Sequence, residues 1–244
     1  MTSLAAFGSS NLDNVKRIGT GLAFILFPML FIAGFALHPD LLNPHVLSPK
    51  ELVLRARHAD LMQLGHVLDT FGTVFLVVIA LRFMKLRDRG SVAWAGFIGA
   101  ALAIWGVMML AALKGALCLT MSAIDTVPDQ EFAQMMPGLL AMFSRKGWMV
   151  LLWSIALLPI GFAIQVIPLV KTHAIPRWQG IFFLIGMFLL ATPDGAEIIS
   201  LTASILMAVG LVPFGIQTII KNDAQGGILC VAGQEAIEHR HAVA

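Results

Sequence analysis

The sequence predicts an all-α protein, a polytopic bundle of six transmembrane helices with both termini in the cytoplasm. Three observations predict it. Of the 244 residues, 58% are hydrophobic and 12% charged, where soluble domains carry roughly 45–50% apolar and about 25% charged residues. Six apolar stretches reach or approach the ~20 residues that a helix needs to cross a ~30 Å hydrocarbon core. Basic residues gather in alternate connections between those stretches. The composition excludes a soluble enzyme, a disordered chain, a collagen and a disulfide scaffold. With 16 basic against 14 acidic residues, no nucleic-acid partner is implied.

The first span, 18–37, follows Lys16 and Arg17. Its apolar run is longer than a signal-peptide core and ends in no small-x-small site, so it reads as a retained anchor. In the connection after it, Ser48, Pro49 and Glu51 form a capping-box pattern. A helix is therefore expected from Pro49, lying at the surface or running on into the second span. That span is 61–84, and the third is 92–121. Ala95, Gly99 and Ala103, with Gly96 and Ala100 on a neighbouring stripe, allow close backbone approach along the third.

The next connection opens a helix at Pro128-Asp129-Gln130-Glu131. Phe132, Met135, Met136, Leu139 and Leu140 give it an apolar face, which predicts an interfacial helix up to Arg145, broken at Pro137-Gly138. The fourth span is 148–170, the fifth 178–192 and the sixth 196–220. The fifth is the shortest, and Pro159 and Pro213 should loosen the fourth and sixth. Residues 222–244 read as a flexible cytoplasmic tail.

Orientation follows from the cations. The side holding both termini carries ten: Lys16, Arg17, Arg82, Lys85, Arg87, Arg89, Lys171, Arg177, Lys221 and Arg240. The other carries six: Lys50, Arg55, Arg57, Lys114, Arg145 and Lys146. The bias in the short connections 82–89 and 171–177 makes the first side cytoplasmic. Trp94 and Trp178 then lie at the inner interface and Trp148 at the outer one. The expected location is a bacterial plasma membrane, with the lipid bilayer as the constant partner.

An ionisable side chain at mid-bilayer costs at least ~2.5–3.5 kcal/mol, so those present need a partner or a cavity. His66 and Asp69 are three apart in the second span and share a face. His58 lies on roughly the same stripe, eight residues earlier. Asp69 is about 12 Å inside an outer boundary near Leu61. Lys114 falls at a similar depth in the third span, and Asp194 and Glu197 open the sixth. These six residues predict an outward-opening polar pocket, floored by Asp69 and His66 and walled by Lys114 and Glu197. Five of the six have a plainer role available. Asp194 and Glu197 can serve as N-cap and first-turn acid of their helix. Lys114 can snorkel, or pair with Asp69 or Glu197 as a helix clamp, and His58 can be solvated.

No metal site and no cofactor is predicted. Only His66 among the histidines lies within a span, which is too few for a haem clamped between helices. Neither a zinc spacing of Cys and His nor a known hydrolase or phosphate-loop signature occurs, and Cys118 and Cys230 stand far apart in the chain. Gly65-His66-Val67-Leu68, with Gly72, and Ile175-Pro176-Arg177-Trp178 resemble motifs of uncharacterised six-helix integral membrane proteins of bacteria. That resemblance implies the span layout and no activity.

Three functions are therefore expected as alternatives. The chain could bind or transport a small solute, with Asp69 and Glu197 accepting protons or a cation and His66 tuning them. It could be a membrane-embedded acid/base enzyme on a lipophilic substrate. Or it could be an accessory subunit whose polar cluster is structural, within an oligomer or with a membrane partner. The ligand expected of the first two is lipophilic or a small cation.

Overall fold

The computed structural model describes residues 3–39, 41–42, 45, 47–86, 91–142, 153–191 and 197–220. Among these, all regular structure is helical: α1 (Ser3–Ala36), α2 (Pro49–Ala56), α3 (Asp60–Leu86), α4 (Ser91–Asp125), α5 (Asp129–Met142), α6 (Leu157–Lys171), α7 (Arg177–Leu190) and α8 (Glu197–Ile220). Five helical stretches are long and apolar enough to cross a membrane: Asn11–Ala36, Asp60–Leu86, Val92–Asp125, Trp153–Lys171 and Glu197–Ile220. The sixth apolar helix, Arg177–Leu190, has 14 residues, which rise only about 21 Å. The chain is a helical protein of the multi-pass membrane type. The expected tail at 222–244 and residues 148–152 of the fourth span lie outside the described residues.

The six apolar helices pack in chain order. α1 touches α3, α3 touches α4, α4 touches α6, α6 touches α7 and α7 touches α8, while α8 returns to α1. Glycines set the seams. A Cβ at Gly99 on α4 would lie 2.5 Å from Gln165 Cγ and 2.6 Å from the Gly161 carbonyl oxygen of α6, so the predicted small-residue stripe does let two backbones meet. Gly21 and Gly215 meet similarly where α1 joins α8, with a Cβ on Gly215 only 2.7 Å from the Gly21 carbonyl oxygen. Gln165, buried at this level, donates Nε2 to the carbonyls of Ala80 (2.9 Å) and Gly96 (3.0 Å). One α6 side chain thus ties α3 to α4.

Inside the ring, aromatic rings fill the half nearer the α3–α4 connection. Phe24, Phe83, Phe162, Phe183 and Phe214 stack edge to face or tilted at centroid spacings between 4.9 and 6.4 Å. Rings at such spacings interact favourably beyond their area burial. A buried stripe of Phe27, Phe31 and Phe35 climbs α1 from there towards the opposite end.

That opposite end carries α2 and α5. The capping box forms as the spacing predicts: the Glu51 carboxylate accepts from Ser48 N–H at 2.7 Å, and Ser48 Oγ accepts from Glu51 N–H at 3.4 Å. α2 does not run on into α3. It stops at extended Arg57, and His58 turns the chain in the left-handed region at φ 59°. Arg57 reaches across instead, with Nη1 2.8 Å from Asp129 Oδ1, Nη2 donating to Val127 O at 2.8 Å, and its cation 4.3 Å above the Phe132 ring.

Three expectations need correction here. Pro137-Gly138 does not break α5; both are exposed on its outer side, where water can take the carbonyl that Pro137 leaves without an N–H. The apolar face of α5 turns partly inward: Phe132 and Leu139 are buried against Val53 and Ile124, while Met135 stays exposed. α4 continues past residue 121 to Asp125, because its last turn packs into this small cluster.

Two predictions follow from these contacts. Gly99→Val should lower the thermal stability of the detergent-purified protein by about 1–3 kcal/mol through overpacking, whereas Gly115→Ala, with nothing within 4 Å of a new Cβ, should leave it close to wild type. The hydrogen bonds from Ser48 hold the Glu51 carboxyl below its ordinary value. The α2 stabilisation is then present above the ordinary carboxylate range and lost as pH falls through the lowered value. A carboxyl NMR titration should return towards the ordinary value in Ser48→Ala.

Candidate functional site

The polar residues collect at the α2/α5 end, where α1, α3, α4 and α8 converge. Gly34 and Gly65 make this possible. A Cβ at Gly34 would overlap Asp69 Oδ1 and lie 2.9 Å from the Gly65 carbonyl oxygen; one at Gly65 would lie 2.5 Å from the Gly34 carbonyl oxygen and 3.2 Å from His38 Cε1. Only a glycine pair lets α1 and α3 come close enough to wrap these side chains.

Asp69 and His66 lie on one face of α3, as their spacing requires. Lys114 meets both. Its Nζ is 3.2 Å from Asp69 Oδ2 and 3.4 Å from His66 Nδ1, and 4.8 Å above the Phe35 ring. It is 3% exposed and Asp69 0%, so Lys114 does not snorkel. Removal from water makes an isolated ammonium untenable, and the carboxylate supplies the opposite charge.

His38 extends the cluster. It follows α1, whose last turn tightens through Leu37 N–H to Gly34 O at 3.2 Å and His38 N–H to Phe35 O at 3.1 Å. This folds the imidazole back so that Nδ1 meets Gly34 O at 3.0 Å, a second donor to the carbonyl that already accepts from Leu37 N–H. The His38 ring stands edge to face with His66 at 4.9 Å between centroids, and its Nε2 is 3.9 Å from Glu197 Oε2 at the start of α8. The charged and imidazole groups therefore run Asp69, Lys114, His66, His38, Glu197, all buried. Below them along the helices, Thr73, Ser200 and Ser204 add buried hydroxyls; Thr73 donates to Thr70 O at 2.7 Å and Ser204 to Ser200 O at 2.8 Å.

Of the six residues the sequence singles out, four meet: His66, Asp69, Lys114 and Glu197. His58 does not join them. It is exposed in the α2–α3 turn, where its backbone N–H donates to Asp125 Oδ1 at 2.6 Å and its ring lies 3.9 Å from the same oxygen. Asp194 lies outside the described residues. His38 is the member that sequence reasoning left in a loop. The signal was there in Phe35 and Gly34 before it, because residues three and four apart stay on one face if the helix runs one turn further. Among the described residues no group of three or more His, Cys, Asp or Glu is arranged to hold a metal ion. An ammonium at the centre of the cluster also disfavours a divalent cation there.

Breaking the buried pair should be costly and removing it whole much less so. Asp69→Asn and Lys114→Met are each expected to lose about 3–5 kcal/mol of stability, and the double variant to recover a large part of it. Thermal unfolding in detergent, with membrane levels of each variant, checks this.

Comparison with protein-family models, curated proteins and solved structures finds no match, so the chemistry of the site rests on its own residues.

Proposed function

We propose that the chain is a six-span protein of the bacterial plasma membrane, both termini cytoplasmic, that binds a proton or small monovalent cation from the outer side as part of small-solute binding or transport. Charge balance carries this reading. The buried cluster holds two carboxylates, Asp69 and Glu197, against one ammonium, Lys114. Counted over the described residues and with both imidazoles neutral, its formal charge is one negative. Burying a net charge costs several kcal/mol, and one added positive charge removes that cost. His38, which faces Glu197 at 3.9 Å, is the imidazole suited to taking a proton near neutral pH.

The excess of basic residues at the other end supports placing the cluster on the outer side. α7 then serves as a short sixth crossing, held between α6 and α8. The aromatic packing around Phe83 and Phe162 supports a site reached from one side, with passage requiring the helices to rearrange.

A structural reading is favoured by one observation, the direct 3.2 Å contact of Lys114 with Asp69, which clamps α4 to α3 without any ligand. The two readings part on proton binding. Purified full-length protein in nanodiscs should take up about one proton more per chain than the variant H38Q/H66Q when pH is lowered from alkaline to mildly acidic. Exposed histidines cancel in that difference. Equal uptake, with loss of H38Q/H66Q from the membrane, would favour the clamp. A phosphatase reporter, active only outside the cell, should be silent when fused after Ala244.

A further inference from the structure

The geometry points to one exchangeable proton carried by the His38–Glu197 pair, whose Nε2 and Oε2 lie 3.9 Å apart, latching the outer ends of α1 and α8, while Asp69 serves only to neutralise Lys114. This rests on the reading of the cluster as a proton-binding site and assigns the proton to one place within it.

The hydrogen-bond roles decide the assignment. A carbonyl oxygen only accepts, so the 3.0 Å contact with Gly34 O means that His38 Nδ1 carries a hydrogen. Nε2 is then the nitrogen that gains or loses a proton, and it is the one that faces Glu197 Oε2, at 3.9 Å. With His38 neutral and Glu197 ionised, a lone pair would face an anionic oxygen. A single proton turns this into an attractive contact, whichever atom carries it.

His66 is excluded by the same logic. The Lys114 ammonium only donates, so His66 Nδ1, at 3.4 Å, accepts and its Nε2 carries the hydrogen. A second proton on His66 would place two cations in contact. Asp69 already faces Lys114 at 3.2 Å, and protonating it would strand a buried ammonium. Among the described residues, the titratable groups that face this pair are His66 from α3, with Lys114 from α4 and Asp69 from α3 beyond it.

The location gives the proton a mechanical role. α1 and α8 are the first and last helices of the ring, and their seam is closed at its inner end by Gly21 against Gly215 and by Phe24 against Phe214. At its outer end, among the described residues, His38 faces Glu197. When the proton leaves to the outer water, the attraction at that end is lost and the seam is free to part above Ser200 and Ser204.

The test uses full-length protein in nanodiscs carrying C118S/C230S, with S200C as an accessibility probe for a membrane-impermeant maleimide. Labelling should rise from mildly acidic to alkaline pH. E197Q keeps a donor towards His38 Nε2 but has no exchangeable proton, so its labelling should stay lower than that of the parent at alkaline pH. Proton uptake should fall by about one per chain in E197Q and persist in D69N/K114M; that double variant avoids stranding a buried charge. If E197Q follows the parent's labelling at every pH, the latch is overturned. Uptake lost in D69N/K114M but kept in E197Q would move the proton elsewhere and leave the proton-binding function standing. No uptake difference for either variant or for H38Q/H66Q would overturn both.

Discussion

An ammonium enclosed in an apolar bundle is the constraint on which the α2/α5 end of this protein depends. Lys114 is fully packed, so it must face a carboxylate, and Asp69 at 3.2 Å provides it. That single requirement sets the register of α4 on α3. It also fixes His66, which must present a lone pair to the ammonium. His66 in turn abuts His38, whose position depends on the tight last turn of α1. With His38 facing Glu197 at the start of α8, four helices are joined by a chain of polar contacts that starts from one cation.

The rest of the bundle works by a different rule. Towards the other end, glycines bring backbones together and phenylalanines fill the space between, so packing rather than polarity sets the geometry. Gln165 stands at the change-over, donating to two helices at once. The division gives the molecule two unlike halves, one packed with aromatic rings and one holding the buried charged and imidazole groups.

The small outer layer of α2 and α5 shows how polar and apolar contacts share a load outside the bundle. Arg57 gives its fork to Asp129 and Val127 and its face to Phe132, while Val53, Ile124 and Leu139 exclude water beneath. Met135, Pro137 and Gly138 remain on the exposed side, which is why a proline is tolerated within α5.

By itself the sequence determined the helical class, the apolar stretches, the capping box at Ser48 and Glu51, and the shared face of His66 and Asp69. Each of these is written in residues within a turn or two of one another, where 3.6-residue periodicity and cap chemistry act. It also identified Lys114 and Glu197 as costly residues without saying what they meet. Tertiary structure decided the partners: Lys114 with Asp69 across 45 positions of chain, His38 with Glu197 across 159, and His58 turned away to Asp125. Those pairings depend on how close two helices can come, which Gly34 and Gly65 set. The end of α1 was hidden for the same reason. Whether the chain coils one turn further to bring His38 inward depends on what waits for it there, and no local pattern records that.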